Sequence, residues 1–168
     1  HEGMGRAQLF EVLCRMLSTL RDGHVNLYSS MDVGRNWSWR EDYPENLDRE
    51  LRDKYLGTDY RIAGGLKYRI LEDNVAYVVY ESFSDGVGEG NLDDMLYYLR
   101  LCGGLILDIR GNTGGMLTNA ECLAARFTNE KRLVGYMCHK TGKGHNDFSQ
   151  PRAEYIEPAL TRVRWQKP

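Results

Sequence analysis

The chain has 168 residues, of which 42% are hydrophobic and 27% are charged, and its formal net charge is −2. This length suits a single domain that buries a core without disulfides or a metal, and a charge so close to zero gives no argument for binding nucleic acid or anionic membrane. No apolar run approaches the roughly 20 residues that a membrane-spanning helix needs.

The N-terminal part of the chain begins with an amphipathic helix. We expect this helix over about residues 5–20, because apolar residues recur there at helical spacing: Leu9, Leu13, Met16, Leu17 and Leu20. A short strand follows at Val25–Leu27. Residues 31–57 are predicted to form an irregular or helical insertion, in which Asn46 caps a short helix that runs through Tyr55.

The middle of the chain predicts paired strands. Gly64-Gly65 separates Asp59–Ala63 from Leu66–Leu71, which is the signature of a hairpin with a two-residue turn. The turn at Asp73-Asn74 then leads into Val75–Tyr80. This run is continuously apolar, so we expect a strand that is buried on both faces.

A crossover helix is predicted to join this strand to the next one. Asn91 and Asp94 resemble a capping pair, and the helix should end near Gly103-Gly104. Its apolar face consists of Leu92, Met95, Leu96 and Leu99. Leu105–Ile109 is the following strand, and a strand, helix and strand in this order predict a right-handed unit with two parallel strands.

The last third of the chain predicts one more helix and then strands and loops. The helix has four apolar residues on one face: Leu117, Ala120, Ala124 and Phe127. Short apolar stretches broken by Gly, Pro and charges extend from Leu133 to Trp165. The fold class is therefore α/β, with a mixed, partly parallel sheet and flanking helices.

The junction between the Leu105–Ile109 strand and the next helix carries the strongest chemical signal. If Gly114 and Gly115 lie at the helix N-terminus, their amides have no intrahelical acceptors and can stabilise an acyl-transfer oxyanion. Alternatively, the glycines only make the turn and allow strand and helix to pack. Asp108, Arg110 and Asn112 are interpreted as supporting residues that bond to loop amides and to one another.

His24 is the second candidate for chemistry, since it follows Asp22-Gly23 at the start of a strand. A histidine has a pKa near neutrality and suits proton removal from a serine hydroxyl. A histidine in this position can equally be an ordinary surface or turn residue. Asp22 either orients the imidazole or forms an Asx turn.

Three other features predict no ligand. His139 and His145 have no carboxylate or cysteine at matching spacing, so we expect no metal and no other cofactor. The glycine-rich segment 85–90 precedes a helix, but nearby carboxylates would repel phosphate, which leaves a hinge or a cleft wall. The cysteines are interpreted as reduced core thiols, with a disulfide left open: Cys14, Cys102, Cys122 and Cys138.

Three motifs in this order resemble a known family. They are Leu-x-Asp-Gly-His-Val, Val-Ala-Tyr-Val-x-Tyr with a following Phe83, and Gly-Leu-Ile-Leu-Asp-Ile-Arg-Gly-Asn-x-Gly-Gly. Together they are similar to the serine peptidases of the tricorn core and the C-terminal processing (tail-specific) peptidases, relatives of interphotoreceptor retinoid-binding protein. The similarity extends from about Leu9 to the C-terminus.

The resemblance implies a crotonase-like (ClpP/crotonase) core in a periplasmic or exported endopeptidase that cleaves unstructured polypeptide. It makes His24 the catalytic base, and it makes the Gly114-Gly115 turn the element that supplies an oxyanion-hole amide. The imidazole of His24 and the amides near Gly114 are therefore predicted to converge on a common cleft. The alternative is a non-catalytic ligand- or peptide-binding module on the same fold, because a fold does not determine an activity.

Two departures from the family pattern shape the domain prediction. The span from Ser30 to Gly64 is too short for a PDZ domain, so none is expected. The family's nucleophilic serine follows a further buried strand, and three serines do not stand in a matching context: Ser82, Ser84 and Ser149. We therefore expect residues 1–168 to be one incomplete peptidase domain, inactive alone, with the nucleophile beyond the chain.

The expected parts of this domain are a helix with the Asp-Gly-His strand (1–30), the insertion (31–57) and an α/β core (58–168). Without a further strand, Leu105–Ile109 would keep an unpaired edge. The chain is therefore predicted to form a homo-oligomer through this edge.

Overall fold

The computed structural model describes residues 3–36 and 41–167. The chain divides into two compact units, His1–Asn46 and Leu47–Pro168. This division falls within the predicted insertion, whose residues 37–40 lie outside the described part of the chain.

The first unit contains one helix and a small antiparallel strand pair. Helix α1 is Arg6–Ser18, strand β1 is Asn26–Tyr28 and strand β2 is Val33–Arg35. The predicted helix and first strand are confirmed, whereas β2 was missed because three residues are too few to show a period. A side chain at Gly34 would clash with the Cys14 thiol, so glycine allows β2 to approach α1.

The second unit is built on a four-stranded mixed sheet in the order β3-β4-β5-β6. The strands are β3 (Arg61–Ala63), β4 (Leu66–Ile70), β5 (Val75–Tyr80) and β6 (Gly104–Asp108). The pairs β3–β4 and β4–β5 are antiparallel, and β5–β6 is parallel. The predicted hairpin, the parallel pair and the mixed α/β class are confirmed.

Helices α2 (Arg49–Leu56), α3 (Glu89–Leu99) and α4 (Leu117–Ala124) also belong to the second unit. The cap of α2 is Asp48, whose side chain accepts the Leu51 N–H at 2.9 Å. The prediction of Asn46 as this cap was wrong, because a side chain five residues before Leu51 is too far from the first helical amides.

Helix α3 begins earlier than expected. Gly88 is its N-cap, and the Asn91 side chain reaches back to accept the Gly88 N–H at 3.0 Å. The predicted pairing of Asn91 with Asp94 as caps was therefore wrong. Glycine is tolerated at an N-cap, so no polar side chain identifies the cap of α3 in the sequence. The polar residue that identifies the start of this helix is Asn91, its third residue.

Strand β5 is at the centre of the core and is buried on both faces, as predicted. Ala76, Val78 and Tyr80 pack with the apolar face of α3, and Tyr77 and Val79 pack with Leu56 of α2. The face predicted for α4 was partly wrong, since Leu123 is buried, Leu117 is exposed and the helix ends before Phe127.

The remaining strands form a separate two-stranded antiparallel sheet, β7 (Arg132–Met137) and β8 (Arg152–Ile156). The C-terminal segment is attached to the buried Arg126, whose carbonyl accepts the Trp165 N–H at 2.8 Å. The guanidinium of Arg126 pairs with Glu89 and Asp93 of α3. No helix in the described part of the chain has the length and apolarity needed to cross a membrane.

The four cysteines are free. Cys102 is buried, while Cys14 and Cys122 are half-buried. Cys138 follows β7 and is exposed, so its interpretation as a core thiol was wrong. Strands β7 and β8 form a sheet of only two strands, which buries little of either face. The apolar residues of this sheet therefore look like a core strand in the sequence, although they do not belong to a core.

Candidate active site

The carboxyl end of β6 carries a buried carboxylate, Asp108, which is only 5% exposed. Asp108 accepts the Arg110 guanidinium at 3.0 and 2.7 Å, the Arg110 backbone N–H at 3.1 Å and the Tyr77 hydroxyl at 2.7 Å. The charged bonds from Arg110 hold the pKa of Asp108 well below its usual range. Burial and the bond to Asp108 raise the pKa of Tyr77 to about 12. The strand end is thus rigidly bonded.

Asn112 attaches the following turn to the end of β5. Its side-chain NH₂ donates to the Tyr80 carbonyl at 2.8 Å, and its side-chain oxygen accepts the Gly114 N–H at 2.8 Å. The Gly114 amide is therefore already occupied within the turn. The structure therefore contains the predicted hydrogen bond between the Asn112 side chain and a loop amide.

The turn continues along the chain that leaves β5. The Thr113 N–H donates to the Glu81 carbonyl at 3.1 Å, the Phe83 N–H donates to the Gly114 carbonyl at 2.8 Å, and the Met116 N–H donates to the Phe83 carbonyl at 3.0 Å. Phe83 and Gly115 form a parallel bridge. Residues 112–116 are thus held in register against residues 80–83.

Gly115 is the position in this turn where a side chain would cause the most strain. Its φ is 138°, and a Cβ there would clash with the backbone of Phe83 and Ser84. Helix α4 begins at Leu117, so the glycine pair precedes the helix instead of forming its first residues.

The Gly115 residue is exposed, and its N–H has no hydrogen-bond partner within residues 3–36 and 41–167. The two glycines therefore differ, because Gly114 shapes the turn whereas Gly115 presents a free donor. Sequence reasoning treated them alike, since the use of the Gly114 amide by Asn112 becomes visible only in three dimensions.

In the first unit, His24 is 99% exposed and is held by Asp22. Asp22 Oδ1 accepts the His24 backbone N–H at 2.8 Å and lies 3.0 Å from the ring nitrogen Nδ1. Asp22 therefore forms an Asx turn and orients the ring as well. The bonds from His24 lower the pKa of Asp22. Because a carboxylate only accepts, this contact favours the tautomer with the proton on Nδ1, in which Nε2 is the acceptor of the neutral ring.

His24 belongs to the first unit and Gly115 to the second. Their convergence on one cleft stays a prediction.

The hydroxyl groups of Ser82 and Ser149 bond to backbone groups and not to an imidazole. Ser82 Oγ donates to the Gly114 carbonyl at 3.3 Å and accepts the Ser84 N–H at 3.1 Å, while Ser149 Oγ accepts the His139 backbone N–H at 3.1 Å. In the described ranges none of these hydroxyl groups is bonded to a histidine ring.

The loop before α3 is held against the β3–β4 turn. The Gly86 carbonyl accepts the Gly65 N–H at 3.0 Å, and the Asp85 carbonyl accepts the Tyr80 hydroxyl at 2.5 Å. These bonds favour the interpretation of this loop as a fixed cleft wall over its interpretation as a hinge.

Among the residues that the structure describes, no group of three or more His, Cys, Asp or Glu is arranged to hold a metal ion.

A charged cluster beside the turn was missed by sequence reasoning. Glu81 follows β5 directly and binds Arg52 of α2 at 2.6 Å and Lys67 of β4 at 2.7 Å. The hydrogen bond from Lys67 lowers the pKa of Glu81, and the same bond raises the pKa of Lys67. The available signal was an acidic residue directly after the continuous apolar run Val75–Tyr80.

In α/β sheets, ligands bind outside the carboxyl ends of the parallel strands, which is where this glycine turn lies. The family model "Peptidase family S41" matches residues 74–168, which is more than half of the chain. The chain belongs to peptidase family S41. The resemblance inferred from the motifs is thus confirmed at the level of the family.

The chain is also similar to a crystal structure of a candidate peptidase from Parabacteroides merdae ATCC 43184. The two share 49% sequence identity and a TM-score of 0.89, and the match covers 100% of this chain and 53% of that chain. The present chain thus spans about half the length of that relative. No curated protein is significantly similar to the chain.

Proposed function

We propose that this protein acts as a serine endopeptidase that cleaves unstructured polypeptide, of the C-terminal processing or tricorn-like type. The observation that carries the proposal is the Gly115 N–H, which has no partner among the described residues and lies in a turn that favours glycine. Membership of peptidase family S41 supports hydrolysis of a peptide bond as the reaction.

In this mechanism His24 is the general base. Nδ1 stays protonated against Asp22, so Nε2 receives the proton of a serine hydroxyl as that oxygen attacks the scissile carbonyl. Asp22 stabilises the imidazolium that forms, and the imidazolium then gives its proton to the leaving amine.

The Gly115 N–H stabilises the oxyanion of the tetrahedral intermediate. A fixed donor of this kind contributes about 3 kcal/mol to transition-state stabilisation. The Asp108–Arg110 pair and Asn112 keep this donor in place, because they bond the turn to the strand ends before substrate arrives.

The nucleophilic serine is proposed to lie outside these 168 residues, so this chain alone is expected to be inactive. The greater length of the Parabacteroides merdae relative supports this proposal, since the match covers 53% of it. The periplasmic or exported location implied by the resemblance is likewise a proposal, and fractionation of cells that express the full-length protein tests it.

A fluorophosphonate probe tests the reaction on the full-length protein. We expect covalent labelling of one serine and its loss in a His24→Ala variant, whereas His139→Ala, a histidine next to β7, leaves labelling intact. Full labelling of the His24→Ala variant would remove His24 from the mechanism. If the 168-residue chain cleaves an unstructured protein and His24→Ala abolishes this cleavage, the proposal that the nucleophile lies outside these residues is wrong.

The alternative function is a non-catalytic peptide- or ligand-binding module. One observation favours it, because the hydroxyl groups of Ser82 and Ser149 are bonded to backbone instead of to an imidazole. A full-length protein that binds unfolded polypeptide but takes up no probe would establish this alternative.

We also propose that the 168-residue chain forms a homo-oligomer through β6. This strand ends the described sheet, and Ile106 on it is half exposed. An unpaired parallel edge is a template for another strand. A monomer in light scattering would refute this assembly, and loss of the oligomer on Ile106→Lys would support it.

A further inference from the structure

Glu81 occupies a position in the second unit that joins three elements. Its two carboxylate oxygens bind Arg52 and Lys67, which come from α2 and β4. The side chain of Arg52 is only 10% exposed, and that of Glu81 is about one-third exposed. Arg52 is therefore largely removed from water, whereas Glu81 is half-buried.

The backbone of Glu81 is in direct contact with the turn that carries Gly115. Its carbonyl accepts the Thr113 N–H at 3.1 Å, two residues before Gly115. The neighbouring Phe83 then bonds to Gly114 and Met116. Any rotation of the chain at residue 81 therefore shifts the register against which the turn is held.

A partly buried ion pair such as Arg52–Glu81 adds little stability, because desolvation of the two charges offsets their attraction. The better-supported role of such ion pairs is conformational: they select one local arrangement of the chain among several alternatives. The location of this pair, at the end of β5 and against the turn, suits that role. Gly111 of the same turn lies close to Leu47 and Arg52, which adds a steric contact from the α2 side.

We propose that Glu81 is a positioning residue for the Gly115 amide. Held by Arg52 and Lys67, it fixes residues 81–83 in the register that bonds Gly114 and Met116 and leaves the Gly115 N–H without a partner among the described residues. This role depends on the proposed peptidase function, because it assigns Glu81 to the same oxyanion donor.

The first test measures amide hydrogen exchange and amide chemical shifts in the full-length protein. In Glu81→Gln we expect the Thr113 amide to exchange at least about fivefold faster and the Gly115 amide resonance to move. The Gly103 amide, which bonds to Asn74 at the opposite end of β5, serves as the internal reference and should not change.

Asp53→Asn is the matched control variant. Asp53 is the other carboxylate partner of Arg52 and is mostly exposed. If the role belongs to Glu81, this control leaves Thr113 and Gly115 unchanged. Equal effects of Asp53→Asn and Glu81→Gln on both amides would overturn the proposal, and so would an unchanged turn in Glu81→Gln.

The second test measures steady-state kinetics on an unstructured polypeptide. A displaced donor should lower kcat about tenfold and leave KM within about twofold, because substrate binding is not altered. Glu81→Asp, which keeps the charge, should recover part of kcat. If Glu81→Gln does not fold, Lys67→Gln weakens the same anchor and carries both tests with the same expected outcomes.

The two tests separate this inference from the proposed function. An active protein whose turn and kcat are insensitive to Glu81 keeps the function and loses the inference. An inactive wild-type protein loses the function, while the exchange data still decide whether Glu81 holds the turn.

Discussion

The two candidate regions, one in each unit, are built in different ways. His24 is fully exposed, and the bonds that hold it come from Asp22 and Asn26, two residues away on either side. The Gly115 turn is held by bonds that span more than thirty residues, such as Asn112 to Tyr80. A local motif of the first kind forms wherever its sequence occurs, whereas the second exists only when the sheet is folded.

This difference predicts that substitutions at the turn reduce stability and activity together, while substitutions near His24 affect chemistry alone. The largest effect on stability is expected for Asp108→Ala. The change leaves the buried Tyr77 hydroxyl and the Arg110 guanidinium without their shared acceptor, which should lower the free energy of unfolding by about 3 kcal/mol. Urea denaturation measures it.

Glu157→Gln provides the control for this substitution. It removes an exposed ion pair with Lys131 next to the β7–β8 ribbon and should change stability little. Similar losses of unfolding free energy in the two variants would show that the burial of Asp108 does not increase its contribution to stability.

Gly115→Ala should have the next largest effect. The alanine must adopt a φ of 138° and its Cβ clashes with Phe83 and Ser84, so a loss of about 2 kcal/mol in unfolding free energy is expected. Probe labelling of the full-length protein should fall about a hundredfold. Gly103→Ala, where a Cβ meets open space, is the control and should retain labelling.

The acid dependence of stability should be smaller and should trace to the same turn. The folded-state pKa of Asp108 lies well below its unfolded value of about 3.9. Its contribution is therefore complete above that value and is lost as pH falls through the folded pKa. Unfolding measured from pH 5 downward should show a shallower loss in Asp108→Asn, and an identical slope in both proteins would contradict this assignment.

The smallest effect on stability is expected for Asp22→Asn, because the pair with His24 is exposed. The melting temperature should stay unchanged. The imidazole loses the carboxylate that keeps the proton on Nδ1, so probe labelling should slow by about tenfold or more. Nitrogen-15 shifts of the His24 ring measure the tautomer directly, and an unaltered ring with unaltered labelling would leave Asp22 as a turn residue only.

Much of the fold could be predicted from sequence because its signals are local. The continuous apolar run Val75–Tyr80, the Gly64-Gly65 turn and the helical periods of α1 and α3 identified their elements. Helix starts were misplaced where the capping residue lay two or three positions from the expected one, as at Asp48 and Gly88. Strand β2 failed because three residues do not establish a period.

The candidate functional residues also divide into those whose contacts are local in sequence and those whose contacts need the folded chain. The Asp22–His24 contact follows from a two-residue spacing at a turn, and the sequence alone indicated its alternatives. The roles of Glu81, Arg52 and Lys67 could not be predicted, since they come from three elements that are separated in the chain.

The sequence by itself determined the class of fold, the peptidase family and the glycine turn, because each depends on residue types at short spacing. Only the tertiary structure decided which glycine keeps a free amide and which carboxylate fixes the turn. The physical reason is that a hydrogen bond satisfies one donor at a time. Whether Gly114 or Gly115 remains available therefore depends on where Asn112 and the end of β5 meet.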